Sequence, residues 1–374
     1  MLLPKNIKPI TIFIFAFFVS STLVLAQESS SYWQTNYAIG SIIKHQKSIG
    51  HLNIAHPQFA SISWHKGFAA DSEWRKRYNY PDWGVIISHH NFKNSKLGNV
   101  LAVQYLTTYY LLNRNNKNQL NLQIGAGFGY NTHPFDLESN NQNIVMSTHF
   151  QTAQLFKLNY SRLNLFNNIG FQAGLMVSHF SNASFKKPNT GINTLFINAG
   201  LNYRVSTKEA TYPKRNKKEK FTDSALRLFL SLNGGMHSAK AGLDTKFTYY
   251  ASSYLKKRIG YKSGFQLGVD FFNSQANKDF ADFSFHTRIE HPDRKLLDHK
   301  QVGIFVGHEL FFNKIALETL VGYYIYKPFK INRQVYQKIG FKYSLNSKTA
   351  IGLNLKVHLF TAEYLTLGIH HQLL

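Results

Sequence analysis

Apolar and polar residues alternate with a period of two through most of this chain, and this feature restricts its possible folds more than any other. In residues 120–130, one set of alternate positions is apolar, whereas the other holds asparagine, glutamine and glycine. Successive side chains of a β-strand point to opposite faces, so this segment predicts a strand with one apolar and one polar face. The same alternation recurs in residues 261–271, 315–325 and 351–359.

The polar faces of these segments indicate where the chain resides. A soluble β-sandwich would expose many Lys and Glu residues, whereas here the polar faces carry mostly Gly, Asn and Gln. Such faces suit the interior of a barrel whose apolar outer surface contacts lipid. About sixteen segments of roughly ten residues show the pattern, which is the usual length of a membrane-spanning strand. We therefore predict an all-β fold, an antiparallel transmembrane β-barrel of about sixteen strands, within a range of roughly twelve to sixteen.

The amino-terminal segment has the features of a secretory signal peptide. Two lysines precede an apolar stretch at residues 10–19, and small residues up to Ala26 provide a cleavage site. No later apolar run is long enough for a transmembrane helix, so a membrane-resident chain must form a closed barrel. The chain has no cysteine, which excludes disulfides and a lipid-attachment site. We predict a signal peptide at residues 1–26 and a single outer-membrane β-barrel domain at residues 27–374.

The charge balance bears on the partners. The chain has 43 Lys and Arg against 19 Asp and Glu, a formal net charge of +24. Export removes nucleic acid as a partner, whereas a basic surface at the outer leaflet would attract the phosphates of lipopolysaccharide. Lys186 and Lys187 are candidates for such contacts, although simple solvation of turn lysines explains the excess almost as well. The histidines show no metal-ligand spacing, so we predict no metal site.

Residues 179–193 carry the candidate chemistry. When the alternation of the preceding strand is continued, His179 and Ser181 fall on the apolar, outward face, and the next strand places Asn193 on the same face. A histidine can take the proton of a serine hydroxyl while a third group orients the imidazole, and Asn193 is placed for that task. Asn182, or a backbone N–H near it, would stabilise an oxyanion. The competing interpretation is a polar rim at the lipid–water boundary, which spacing alone favours.

At this segment the sequence resembles the lipid A 3-O-deacylase family of PagL-like outer-membrane acyl hydrolases. The family motif is His-x-Ser-Asn, followed by a Pro-Asn-x-Gly loop and an acidic residue at the start of the next strand. Here the chain has His-Phe-Ser-Asn at residues 179–182 and Pro-Asn-Thr-Gly at residues 188–191. The resemblance covers at most residues 35–206, and the second half looks like that of longer acyloxyacyl hydrolase-type relatives.

The resemblance implies a function. It identifies the chain as a carboxylic ester hydrolase in the outer membrane of a Gram-negative bacterium, one that removes an ester-linked acyl chain from lipid A of lipopolysaccharide. Outer-membrane lipids would surround it, and no cofactor is implied. The predicted catalytic residues are Ser181 as nucleophile, His179 as general base and Asn193; the predicted oxyanion or substrate-positioning residues are Asn182, Asn189 and Gly191.

The chain departs from the family at one residue of the motif. Asn193 stands where relatives carry an acid, and an amide stabilises an imidazolium less well than a carboxylate does. Asp136 and Glu138, in the preceding outward loop, are candidates to substitute for that acid. The alternative function is a non-catalytic barrel that acts as a channel or envelope scaffold, since about sixteen strands would enclose a water-filled lumen.

Overall fold

The computed structural model describes residues 29–68, 72–205, 211–213, 221–223, 225–287, 296–359 and 361–374. The predicted signal peptide lies outside these residues. A 3-10 helix spans Lys47–Leu52, and two α-helices span Glu73–Arg77 (α1) and Gln275–Thr287 (α2). No helix within the described ranges has the length and apolar character needed to cross a membrane.

Sixteen antiparallel β-strands make up most of the described chain, which confirms the predicted fold class and strand number. Aromatic and β-branched residues are frequent in them, as expected for side chains that pack on a pleated surface. The strands are β1 (Ser29–Ile42), β2 (Gln58–Phe68), β3 (Asp82–Asn91), β4 (Asn99–Tyr110), β5 (Asn118–Asn131), β6 (Phe150–Phe166), β7 (Ile169–Ser181), β8 (Ile192–Arg204), β9 (Leu226–His237), β10 (Lys246–Arg258), β11 (Ser263–Ser274), β12 (Gln301–Phe312), β13 (Ile315–Tyr326), β14 (Val335–Ser344), β15 (Thr349–His358) and β16 (Thr361–Gln372).

The strands close into two barrels of eight, so the prediction of a single barrel across residues 27–374 is wrong. In the first barrel β1 pairs with β8, with Tyr32 opposite Arg204 and Ile42 opposite Thr194. In the second barrel β9 pairs with β16. Periodicity is a local property that determines where strands occur, whereas closure depends on which distant edges pair. The alternation is the same for one large barrel and for two small ones.

The two faces of the strands are divided as the sequence predicts. Apolar side chains point outward, and Ile197 and Leu232 are 73% and 71% exposed. Asn, Gln and Ser point inward and are buried, as Gln123, Asn159 and Gln172 show. Because the apolar faces are turned away from the barrel interiors, the surrounding medium that suits them is lipid.

Side chains fill both barrel interiors. The first holds amides and hydroxyls around an apolar layer that includes Phe59 and Phe196. The second holds aromatic rings and paired charges, such as Lys338 with Asp270 at 2.8 Å. Eight-stranded barrels are just wide enough to be filled in this way. The wide lumen on which the channel alternative depended is therefore replaced by two packed interiors.

The connections between strands lie at two ends of each barrel. The end that carries the candidate chemistry has the connections at residues 43–57, 92–98, 132–149 and 182–191 in the first barrel. Its counterpart in the second barrel includes residues 238–245. At the opposite end of each barrel, neighbouring strands are joined by shorter connections, such as the tight turn at residues 313–314.

Candidate active site

His179 and Asn193 lie opposite each other on neighbouring strands. The register of β7 and β8 pairs His179 directly with Asn193, and both side chains are on the outer face of the wall, as predicted. The distance from Nδ1 of His179 to Oδ1 of Asn193 is 2.6 Å. Side chains opposite each other on an antiparallel pair are close neighbours, so strand register by itself brings these two groups together.

This contact determines the tautomer of His179. An amide oxygen can only accept a hydrogen bond, so Nδ1 of His179 must carry the proton that it donates to Asn193. In the neutral ring the other nitrogen, Nε2, is then an unprotonated acceptor. His179 is thus in the form that a general base requires.

Ser181 is the last residue of β7 and is only 5% exposed. Its Oγ accepts hydrogen bonds from the backbone N–H of Ala183 at 2.9 Å and from Nδ2 of Asn189 at 3.3 Å. These two donors leave the hydroxyl proton available for an acceptor. Among the contacts of the described residues, none joins Ser181 Oγ to His179. Their Cα atoms are about 7 Å apart along one face of the strand, so a side-chain rotation is needed to bring hydroxyl and imidazole together.

The two asparagines predicted to stabilise an oxyanion or position substrate have different environments. The Asn189 amide donates to Ser181 Oγ, while its Oδ1 accepts the backbone N–H of Asn182 at 3.2 Å. The Asn182 amide instead donates to Ser147 Oγ and to the Lys186 carbonyl, each at 2.9 Å. Asn189 therefore faces Ser181, the candidate nucleophile, whereas the Asn182 side chain connects the loop to the preceding connection.

Gly191 packs directly against the candidate base and nucleophile. A Cβ atom at this position would lie 3.0 Å from Cε1 of His179 and 3.3 Å from Cβ of Ser181. The residue also has a φ of +71°, a conformation that side-chain-bearing residues seldom adopt. Because Gly191 has no side chain, its backbone can approach His179 and Ser181 closely, and the loop can pack over both residues.

His45 joins this site although the sequence did not single it out. Nδ2 of Asn193 lies 3.3 Å from Nδ1 of His45, and Nε2 of His45 lies 3.1 Å from the carbonyl oxygen of Thr190. Nδ1 of His45 also lies 3.2 Å from the carbonyl oxygen of Ile43, so the ring contacts Ile43, Thr190 and Asn193. This arrangement turns the Asn193 carbonyl toward His179. His45 follows β1, so it reaches Asn193 only because β1 pairs with β8.

The acids considered as substitutes do not take that place. The Asp136 carboxylate accepts hydrogen bonds from the N–H groups of Glu138 and Ser139 and from the Ser139 hydroxyl, and these bonds lower the pKa of Asp136. Within the described chain, the side chain that accepts a hydrogen bond from the His179 ring is Asn193. Nor do the described residues contain a cluster of three or more His, Asp or Glu placed to hold a metal ion.

The two loop lysines also differ. Lys186 is exposed, whereas Lys187 is partly buried and donates to Ser184 Oγ at 3.0 Å. Burial lowers the pKa of Lys187, and the nearby carboxylate of Glu363 partly offsets this effect. Lys186 is therefore the better placed of the two to contact a phosphate in solvent.

Serine and histidine two residues apart do make contact at another place, which solvent cannot reach. Ser63 Oγ lies 2.9 Å from Nε2 of His65, and the two residues are 2% and 0% exposed inside the first barrel. A substrate cannot reach this pair. The distinguishing features of the His179–Ser181 pair are its outward face and the loop that covers it.

A groove of about 1290 Å³ runs along the outer wall next to this loop. Thr152, which pairs with Ser181 in the β6–β7 register, is part of its lining, as is Asn182. Several exposed aromatic rings make the groove amphipathic rather than polar, and two lysines also line it. These rings and lysines are Phe128, Tyr130, Phe150, Phe185, Lys96 and Lys186.

Two family models match the chain, and each falls on one barrel. Residues 58–202 match the model described as "Lipid A 3-O-deacylase (PagL)", and residues 226–373 match "Acyloxyacyl hydrolase, C-terminal domain". Together the matched segments cover well over half of the chain, and the first contains His179, Ser181, Asn189 and Asn193. A search of curated proteins found no match.

Several solved structures are similar at low identity. The outer membrane enzyme PagL has a TM-score of 0.31 and 16% identity, covering 45% of this chain and 97% of its own. Neisserial surface protein A has a TM-score of 0.30 and 12% identity, covering 47% and 99%. A mutant of Rh. blastica porin has a TM-score of 0.21 and 8% identity, covering 92% and 100%.

Proposed function

The chain belongs to the lipid A 3-O-deacylase and acyloxyacyl hydrolase family of outer-membrane proteins, and we propose that it is a serine esterase that removes an ester-linked acyl chain from lipid A. It is a protein of the Gram-negative outer membrane built from two β-barrels, and its family consists of ester hydrolases. The observation that supports the serine mechanism is that His179, Ser181 and Asn193 share the outer face of the wall. The proton of the His179 ring lies on Nδ1, which donates to Asn193, so Nε2 can accept the proton of the Ser181 hydroxyl.

In the proposed reaction, Oγ of Ser181 attacks the ester carbonyl carbon, and its proton passes to Nε2 of His179. The oxyanion that forms accepts hydrogen bonds from the Asn189 amide and the Ala183 N–H, which already point at Ser181 Oγ. The bond between the carbonyl carbon and the leaving alcohol oxygen then breaks, and the alkoxide takes the proton from His179. Water then gives a proton to Nε2 of His179 and attacks the acyl-enzyme carbonyl. The acyl–Oγ bond breaks, Oγ of Ser181 takes that proton from His179, and the fatty acid is released.

The position of the site supports a lipid substrate. An acyl chain of a lipid in the outer leaflet lies parallel to the outer wall, where the apolar faces of β7 and β8 are exposed. The groove beside the loop provides aromatic rings for further apolar contact and Lys96 and Lys186 for lipid A phosphates. The substrate therefore need not leave the membrane to reach Ser181.

Mass spectrometry of lipid A tests this proposal. Cells that express the protein should contain lipid A lacking one acyl chain, and cells that express Ser181→Ala should not. Ser178→Ala is the matched control, because Ser178 lies on the same strand but is buried inside the barrel. Folded protein is confirmed for each variant by its heat-modifiable mobility on gels. If lipid A is unchanged by the wild-type protein, or still loses its acyl chain with Ser181→Ala, the serine esterase proposal is wrong.

A further inference from the structure

The loop that follows Ser181 is held by the second barrel. The hydroxyl of Ser184 donates to the carbonyl oxygen of Ala362, in β16, at 2.6 Å, and the backbone N–H of Ser238 donates to the Ser184 carbonyl at 3.1 Å. The hydroxyl of Thr245 donates to the carbonyl oxygen of Phe185 at 2.6 Å. Two consecutive loop residues thus make three hydrogen bonds to another barrel, and Ser184 is 0% exposed.

The backbone at this place has an uncommon conformation. Ala183 and Ser184 are both non-glycine residues with positive φ, at 52° and 64°. Such conformations are unfavourable by themselves and persist where the surrounding structure holds them in place. The bonds from the second barrel to Ser184 supply that restraint from outside the loop.

The restrained residues are linked directly to the nucleophile. The backbone N–H of Ala183, next to Ser184, donates to Ser181 Oγ at 2.9 Å. A change in the backbone at Ser184 would redirect this N–H. The second barrel therefore helps to orient the Ala183 N–H, one of the two donors to Ser181 Oγ. None of its described residues contacts the reacting atoms in the proposed reaction.

We propose that the second barrel is a positioning element for the active-site loop of the first, acting through Thr245, Ser238 and the start of β16 on Ser184 and Phe185. Thr245 and Ser184 are positioning residues. This inference rests on the proposed serine esterase function. It assigns to the second half of the chain a role in turnover rather than in substrate capture, since none of the described residues of the second barrel lines the groove.

The test uses the full-length chain and three variants. Thr245→Val removes the hydroxyl that binds the Phe185 carbonyl while it keeps the side-chain volume, and Thr245→Ser restores the hydroxyl. Tyr78→Phe is the control, because it removes a different hydrogen bond between the barrels, from Tyr78 Oη to the Phe311 carbonyl at 2.7 Å, at the opposite end. Hydrogen–deuterium exchange of the peptide containing residues 182–187 and steady-state deacylation of lipid A in mixed micelles are measured for each protein.

We expect Thr245→Val to speed exchange in this peptide and to lower kcat roughly fivefold, the effect of one neutral hydrogen bond, with KM unchanged. Thr245→Ser and Tyr78→Phe should resemble the wild type in both measurements. If exchange is unchanged in Thr245→Val, the Thr245 hydroxyl does not restrain the loop and the inference fails. If exchange quickens but kcat does not fall, the positioning role fails. If the wild-type protein is inactive while Thr245→Val still quickens exchange, the second barrel holds the loop and the esterase proposal fails.

Discussion

Nδ1 of His179 donates a hydrogen bond to Oδ1 of Asn193 across the β7–β8 pair, at 2.6 Å. The bond orients the imidazole and sets its tautomer, which are two of the tasks of the third member of a catalytic triad. The remaining task is to stabilise the imidazolium that forms during turnover, and a neutral amide performs it less well than a carboxylate. In the structure the candidate base, His179, is therefore well oriented, but its partner is a neutral amide.

Asn193→Asp should therefore raise kcat. A charge-assisted hydrogen bond contributes more than a neutral one, by enough for a roughly five- to tenfold increase. Asn193→Ala should lower kcat by at least as much, because the ring loses its orientation. Steady-state deacylation of lipid A in micelles measures both. Unchanged rates in both variants would show that Asn193 does not act on His179.

His45→Ala should lower kcat roughly fivefold, because Asn193 loses the partner that directs its carbonyl toward His179. His51→Ala is the matched control. His51 lies in the same connection, but its Nε2 bonds to the carbonyl of Gln142, away from the site. The deacylation rates of the two variants are compared at equal amounts of folded protein. Equal losses in both variants would contradict a specific role for His45.

Asn189→Ala should lower kcat by about 10²–10³, the usual effect of losing one oxyanion donor, with little change in KM. Asn182→Ala should act differently, because the Asn182 amide binds Ser147 and the Lys186 carbonyl. We expect a lower melting temperature and a smaller loss of rate. Kinetics and thermal unfolding of both variants separate the roles, and the reverse order of rate losses would assign the oxyanion to Asn182.

Asp82→Ala should destabilise the first barrel strongly. Asp82 is buried and receives two hydrogen bonds of 2.8 Å from Nη2 of Arg114 and one of 2.5 Å from Tyr110. Loss of the carboxylate leaves a buried guanidinium unpaired, which costs about 3–5 kcal/mol. Urea unfolding in detergent micelles measures the change. Asp136→Ala, at an exposed loop, is the control and should have a much smaller effect; similar effects would contradict the importance of the buried pair.

Much of the first barrel could be predicted residue by residue. The outward placement of His179 and Asn193 followed from alternation alone, because the two-residue period of a strand is set by backbone geometry and does not depend on distant contacts. The side-chain rotamer of Ser181 could not be predicted from the alternation, since it depends on Ala183 and Asn189, which belong to an irregular loop. Asn182 and Asn189 have the same side chain, and only the folded loop distinguishes their partners.

The sequence by itself determined sixteen strands, their inward and outward faces, and the segment in which a histidine, a serine and an asparagine share the outer wall. Those properties are local and periodic. The tertiary structure decided that the strands close as two barrels, that His45 therefore lies beside Asn193, and that Ser184 is held from β16. Each of these depends on pairing between residues far apart in the chain, and a strand's alternation is satisfied equally well by any neighbour in the correct register.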